Sequence, residues 1–185
     1  MTRIIGGRAG SIALAVPAAG TRPTSDRVRE SLFGALESAD LITDATVLDL
    51  FAGSGALGLE AASRGASSVD FVERAPKAAT VVDRNCHAIA RSVSGTRLRV
   101  HRASAEAFLR AASGTWDLIF IDPPYDQDDD DLARVLELLV PRLSDDSVVV
   151  LERSNRSPAP PLPGGLAVER SKKYGDTVLW WLSRS

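Results

Sequence analysis

Between residues 41 and 154, short apolar runs alternate with stretches whose apolar residues recur at helical spacing. The runs at 46–51, 68–72, 97–100, 116–121 and 147–151 have the length and the apolar content of buried strands. A helix is expected over 56–64, stopped by Gly65. The next is opened by Pro76, at a position where a missing N–H costs little. It carries Ala78, Val82, Cys86 and Ile89 on one stripe. A short helix follows over 105–111, and another is marked by Leu132, Val135, Leu136 and Leu139, ending near Pro141. Strands alternating with helices in this way predict a parallel sheet covered on both faces.

The two ends break the alternation. Residues 3–7 and 12–16 read as a hairpin around Arg8-Ala9-Gly10-Ser11. A turn at 21–25 leads into a helix that Thr24 or Ser25 can cap, with Val28, Leu32 and Leu36 facing inward. Residues 157–165 are too proline-rich for a helix. Runs at 166–171 and 177–182 then flank Tyr174-Gly175-Asp176 as a second hairpin, so the last strand should enter the sheet antiparallel. The expected organisation is one domain over 25–185 with a hairpin extension at 1–24.

Composition narrows the function. A length of 185 residues suits one domain, and 44% hydrophobic residues support a packed core. A formal charge of −2 means that any nucleic-acid contact must come from a local patch. Cys86 is the one cysteine, which excludes a disulfide framework and a cysteine zinc site; with only His87 and His101 besides, no metal is expected. The N-terminus lacks the apolar run of a signal peptide, and no stretch has the length of a membrane span. A cytoplasmic, soluble protein is expected, with no membrane partner. Asp126–Asp131, acidic but for Gln127, reads as a solvated loop entering a helix N-terminus.

The first candidate chemistry lies in Asp49-Leu50-Phe51-Ala52-Gly53-Ser54-Gly55-Ala56-Leu57-Gly58. This G-x-G-x-x-G segment follows an expected strand and opens an expected helix, the context that gives an otherwise weak pattern its meaning. Glu73 lies 20 positions after Gly53, at the end of the next strand, where a carboxylate can accept from both hydroxyls of a ribose. Asp49 at the strand tip argues against a dinucleotide, whose pyrophosphate it would repel. It suits S-adenosylmethionine, which carries a cationic sulfonium and ammonium and no phosphate.

The second is Asp122-Pro123-Pro124-Tyr125, at the carboxyl end of the fourth strand and on the same rim. Two prolines stiffen the turn and leave its carbonyls to face a ligand. Methylation of an exocyclic amine needs such a corner, because the amine of a base is conjugated with its ring and is a poor nucleophile. Asp122 and the Pro123 carbonyl can each accept one N–H and aim the nitrogen lone pair. Tyr125 offers a face on which a base can stack, worth about 1–3 kcal/mol.

These residues resemble the class I S-adenosylmethionine-dependent methyltransferases with an Asp-Pro-Pro-Tyr signature. The closer resemblance is to the RsmD family of 16S ribosomal RNA guanine-N2 methyltransferases, over nearly the whole chain. Arg3-Ile4-Ile5-Gly6-Gly7 and residues 22–33 are similar to its N-terminal signature, residues 49–60 and 63–66 to its cofactor loop and helix, and 122–125 to its catalytic tetrapeptide. The resemblance implies a Rossmann-like α/β fold with a seven-stranded sheet ordered 3-2-1-4-5-7-6. It implies that Asp49, Gly53, Ser54, Gly55 and Glu73 line the cofactor site, with Ser104 and Ala105 by the adenine; Phe51 and Arg74 adjoin them in the same candidate set. It implies a target guanine in the small subunit near the P site. Ala9, Ser11 and Ala13 stand where the family is more basic, Gly34 where it has asparagine, and Ser104 where it has aspartate or asparagine.

Within residues 1–30, five arginines stand against two acids in a chain whose total charge is −2. Arg3, Arg8, Arg22, Arg27 and Arg29 are therefore the candidate phosphate contacts. The chain has no spare length for a DNA-reading domain, whereas folded RNA presents exposed bases ready-made. The expectation is a monomeric enzyme acting on 16S ribosomal RNA in the small subunit. Methylation of adenine N6, or of another amine in nucleic acid or protein, fits the tetrapeptide equally. A non-catalytic assembly factor that keeps a cofactor site is the alternative of a different class.

Overall fold

The computed structural model describes residues 2–17, 25–124 and 126–185. Arg22, Thr24 and Tyr125 lie outside the described residues, as does the expected domain boundary after residue 24. Short strands β1 (Thr2–Arg3) and β2 (Ala13–Leu14) pair antiparallel at the N-terminus. Helix α1 (Asp26–Ser38) follows, its first turn closed by Ser25, whose Oγ accepts from the Val28 N–H at 3.3 Å. The alternating unit is then β3 (Thr46–Asp49), α2 (Ala56–Ser63), β4 (Ser68–Val72), α3 (Pro76–Ile89), β5 (Arg97–His101), α4 (Ala105–Ala111), β6 (Trp116–Ile121) and α5 (Asp129–Leu139). Strands β7 (Leu143–Ser154), β8 (Leu166–Tyr174) and β9 (Thr177–Arg184) complete it.

Seven strands form one sheet in the order β5-β4-β3-β6-β7-β9-β8, with β9 antiparallel to both neighbours. Counting from β3, this is the expected 3-2-1-4-5-7-6. Alternation along β6 shows why both faces are covered. Leu118 and Phe120 pack with α1, α2 and α3, while Ile119 and Ile121 pack with α4 and α5. The order reverses between β3 and β6, and at such a point the crevice beyond the strand tips opens to a ligand.

β3 ends at Asp49 rather than 51, where the chain turns into the glycine loop, and three further elements differ more from their sequence expectations, each for a local reason. β7 begins at Leu143 rather than 147: Trp116 pairs with Leu143 and Leu118 with Val148, and the Ser147 hydroxyl closes the irregularity by donating to the Trp116 carbonyl at 2.7 Å. The polar Ser144-Asp145-Asp146 stretch conceals this strand from an apolar pattern. β8 runs on to Tyr174 as an edge strand whose exposed residues are Val168, Glu169, Arg170, Ser171, Lys172 and Lys173, a mostly charged composition that blunts edge-to-edge pairing.

The N-terminal hairpin has only two-residue strands, because its donors are taken by α2. The Ile5 and Gly6 N–H groups donate to the two oxygens of Glu60, each at 2.8 Å. The Arg8 N–H donates to the Ser63 carbonyl at 2.7 Å and the Ala9 N–H to Ser63 Oγ at 2.9 Å. Gly7 sits at φ +73°, and a Cβ there would stand 2.2 Å from the Ser63 carbonyl oxygen. Ile4, Ala9 and Leu14 share the apolar cluster of α1–α3, so the extension is packed into the domain.

Candidate active site

The glycine loop is fixed at its root by the sheet. The Leu50 N–H donates to the Phe120 carbonyl and the Ala52 N–H to the Val72 carbonyl, both at 3.0 Å, so the chain leaves β3 tied to β6 and β4. Gly58 gives α2 its close approach to the sheet: a Cβ there would lie 2.4 Å from Phe71 Cε1. Glu73 then reaches back from the end of β4. One oxygen accepts from the Gly53 N–H at 2.9 Å and the other from the Ala75 N–H at 2.7 Å. Each carboxylate oxygen has capacity for a second donor, so the carboxylate is oriented without being saturated.

Beyond these strand tips lies a cavity of about 560 Å³. Phe51, Gly53, Glu73, Arg74, Ser104, Ala105, Asp122, Pro123 and Pro124 all line it, so the glycine loop and the diproline corner share one chamber. Ser104 also caps α4, its Oγ accepting from the Ala107 N–H at 3.2 Å. Among the described residues, six carboxylates border the cavity (Glu73, Glu106, Asp122, Asp126, Asp131 and Glu152) against the single cation Arg74. Such a lining suits a cationic ligand and disfavours a phosphate-bearing one.

Three expected residues stand away from that lining. Ser54 and Gly55 do not border the cavity, and neither does Asp49, which is buried behind the loop. Asp49 Oδ2 accepts from the Gly58 N–H at 3.0 Å, while Oδ1 has no partner among the described residues. Burial raises its pKa from 3.8 to about 7; the Gly58 hydrogen bond opposes that rise and the charge of Glu73 adds to it. A buried carboxylate with one unmatched oxygen, set behind a cavity of like charge, supports a cation in front of it.

The arginines divide. Arg3, Arg8 and Arg27 are exposed. Arg29 is not available to a phosphate: its side chain is fully buried and donates to Asp26 Oδ1 at 2.7 Å and to the Arg3 carbonyl at 3.0 Å, with Glu60 at 3.8 Å. It is a structural ion, and the surface reading of it is corrected.

Several residues of the site escape the sequence reading. Glu152 follows the strand expected at 147–151 and so carries the same strand-tip signal as Asp122. Asp128 does cap α5, accepting from the Asp131 N–H at 2.7 Å as the acidic run suggested, but Asp126 and Asp131 also face the cavity. Asn85 on α3 carries no local signal at all. Its Oδ1 accepts from the Ala15 N–H at 2.9 Å, and its Nδ2 donates to the carbonyls of Ala15 at 2.9 Å and Ser54 at 2.8 Å. It thus joins the N-terminal segment to the glycine loop.

The sheet order, the glycine loop and the acidic chamber define a Rossmann-like class I methyltransferase fold. The family model described as conserved hypothetical protein 95 matches residues 2–183. Ribosomal RNA small subunit methyltransferase D of Escherichia coli strain K12 is 35% identical over 179 residues, covering 95% of this chain and 86% of that one. The solved structure of the methyltransferase yhhF from Escherichia coli superimposes with a TM-score of 0.84 at 35% identity, covering 100% of this chain and 98% of that one. That of a hypothetical protein from Thermus thermophilus gives 0.79 at 32%, with both chains covered in full. The chain belongs to this family, the RsmD family of methyltransferases.

Proposed function

We propose that this protein transfers a methyl group from S-adenosylmethionine to the exocyclic N2 of one guanine of 16S ribosomal RNA, within the small subunit near the P site. The observation that carries the reading is the shared chamber: Glu73 and the glycine loop border the same cavity as Asp122, Pro123 and Pro124. The name of the Escherichia coli relative supplies the substrate class.

The cofactor, when bound, supplies an electrophilic methyl carbon on a sulfonium. Glu73 accepts from the ribose hydroxyls with the lone pairs its two backbone donors leave. Ser104 and Ala105 border the adenine, Phe51 and Arg74 flank the loop, and the acidic lining holds the cationic end. Asp122 and the Pro123 carbonyl each accept one N–H of the target amine, which turns the nitrogen lone pair toward the methyl carbon for in-line displacement. Tyr125 stacks on the extruded base. Asp122 need not be a strong base, because the proton leaves after the methyl group has arrived. No step requires a metal.

The acidic chamber repels phosphates, so the RNA backbone is held outside it by Arg3, Arg8, Arg22 and Arg27. The protein acts as a monomer in the cytoplasm; among the described residues, no helix is long and apolar enough to cross a membrane. The test supplies S-adenosylmethionine labelled in its methyl group to undermethylated small subunits, free 16S RNA and DNA in parallel, followed by nucleoside identification. Label in N2-methylguanine from the RNA substrates is expected. Label in N6-methyladenine, or in DNA alone, would overturn the reading.

A further inference from the structure

Asp122 has a carboxylate neighbour. β6 and β7 run parallel with Ile121 opposite Leu151, so the next residues, Asp122 just past the end of β6 and Glu152 still within β7, stand side by side. Glu152 borders the main cavity and also a recess of about 60 Å³ beside it, and Asp122, Pro123 and Pro124 border both as well. The Thr177 hydroxyl of β9 donates to Glu152 Oε1 at 3.4 Å, and a carboxylate has capacity for further donors.

We infer that Glu152 is the residue that selects guanine, by accepting the N1–H of the base whose amine Asp122 holds. This rests on the guanine reading above and says how that base is recognised. Among the amine-bearing bases, guanine alone has a ring N–H next to its amine. Beside the amine, adenine presents N1 and cytosine N3, both lone-pair acceptors. An ionised carboxylate only accepts. With Asp122 and the Pro123 carbonyl taking the two amine hydrogens, a second carboxylate one strand away meets the adjoining ring atom. It gains a charge-assisted hydrogen bond from guanine and repulsion from adenine or cytosine. Gln127, which also borders both cavities, could turn its amide to suit either base and so cannot discriminate.

The test compares the natural protein with Glu152→Gln and Glu152→Asp. The substrates are small subunits reconstituted with 16S RNA carrying guanine or adenine at the target position, and S-adenosylmethionine affinity is measured alongside. Glutamine can still accept the N1–H through its amide oxygen, so Glu152→Gln exchanges a charge-assisted hydrogen bond for a neutral one, which predicts a fall in kcat/KM on guanine of about fivefold. Cofactor affinity should stay within about twofold, and the guanine-to-adenine ratio should narrow about tenfold, since an amide can donate to adenine N1. Glu152→Asp, which keeps the charge, should retain the ratio. An unchanged rate and ratio in Glu152→Gln, with the natural enzyme making N2-methylguanine, would overturn the inference and leave the proposed function standing. A parallel loss of cofactor affinity would also overturn it, by assigning Glu152 to the cofactor. If the natural enzyme labels a base other than guanine, the proposed function fails first and the selection of guanine with it.

Discussion

The glycine loop and the N-terminal segment meet at Asn85, but they are held by different means. The loop is held by backbone and steric fit: its root is hydrogen-bonded to β4 and β6, and Gly58 lets α2 sit against Phe71. The N-terminal segment is held by polar side chains reaching from elsewhere. Glu60 takes the Ile5 and Gly6 amides, Ser63 takes that of Ala9, and Asn85 takes both backbone groups of Ala15. Close packing is intolerant of added volume, whereas a polar dock is intolerant of losing a partner. The two regions should therefore fail under different substitutions.

The largest effect is expected at Glu60, which is fully buried and is shared by Arg29, Arg64 and the N-terminal amides. Glu60→Ala leaves Arg29 without its interior partner and should cost about 3–5 kcal/mol, the range for breaking a buried ion pair. Urea unfolding measures it, and a loss below about 1 kcal/mol would show that the dock is not what holds the segment. Next comes Gly58→Ala. Phe71 is fully buried and cannot swing aside, so overpacking should cost about 1–3 kcal/mol despite the better helix propensity of alanine. Thermal melts would show it, and a stabilised variant would break the steric account of the loop.

Asn85→Ala should act on both regions at once, because its side chain touches each. Removing its three hydrogen bonds should cost about 2 kcal/mol and, unlike a substitution confined to the N-terminal segment, should also weaken S-adenosylmethionine binding by releasing the Ser54 carbonyl. Calorimetry on the variant separates the two effects. The remaining effect concerns pH rather than a lost contact. Asp49 is lifted to about 7 by burial, so from about pH 4 to 7 the folded chain keeps a proton that the unfolded chain has released. This group's contribution to stability therefore falls as pH rises through that window and levels off above it. Melting temperatures of Asp49→Asn should lack this slope; an unchanged slope would remove Asp49 as its source.

The same division explains what the sequence made legible. Gly53 through Gly58, Pro76 and Asp122-Pro123-Pro124 act through their own backbone geometry, so spacing located the loop, the start of α3 and the corner. Residues 46–49, 68–72 and 116–121 alternate between two buried faces, and their strands were legible for that reason. Glu60 and Asn85 act on backbone groups 31 to 70 positions away, and nothing in their own surroundings announces it. Arg29 reads as a surface arginine for the same reason. Its partner Asp26 is local, but Glu60, which makes its burial tolerable, lies one helix away in the fold. Asp49 was legible as a strand-tip acid, yet its place behind the loop depends on how closely Gly58 brings α2 to the sheet.

The central claim is that the cofactor chamber and the diproline corner work as one site. A single-turnover experiment tests it most directly, with saturating labelled S-adenosylmethionine, undermethylated small subunits, and the natural protein beside Asp122→Ala. Both proteins should bind the cofactor, and only the natural one should transfer label to the RNA at an appreciable rate, the variant being slower by at least about 100-fold. Transfer by Asp122→Ala at the natural rate would contradict it.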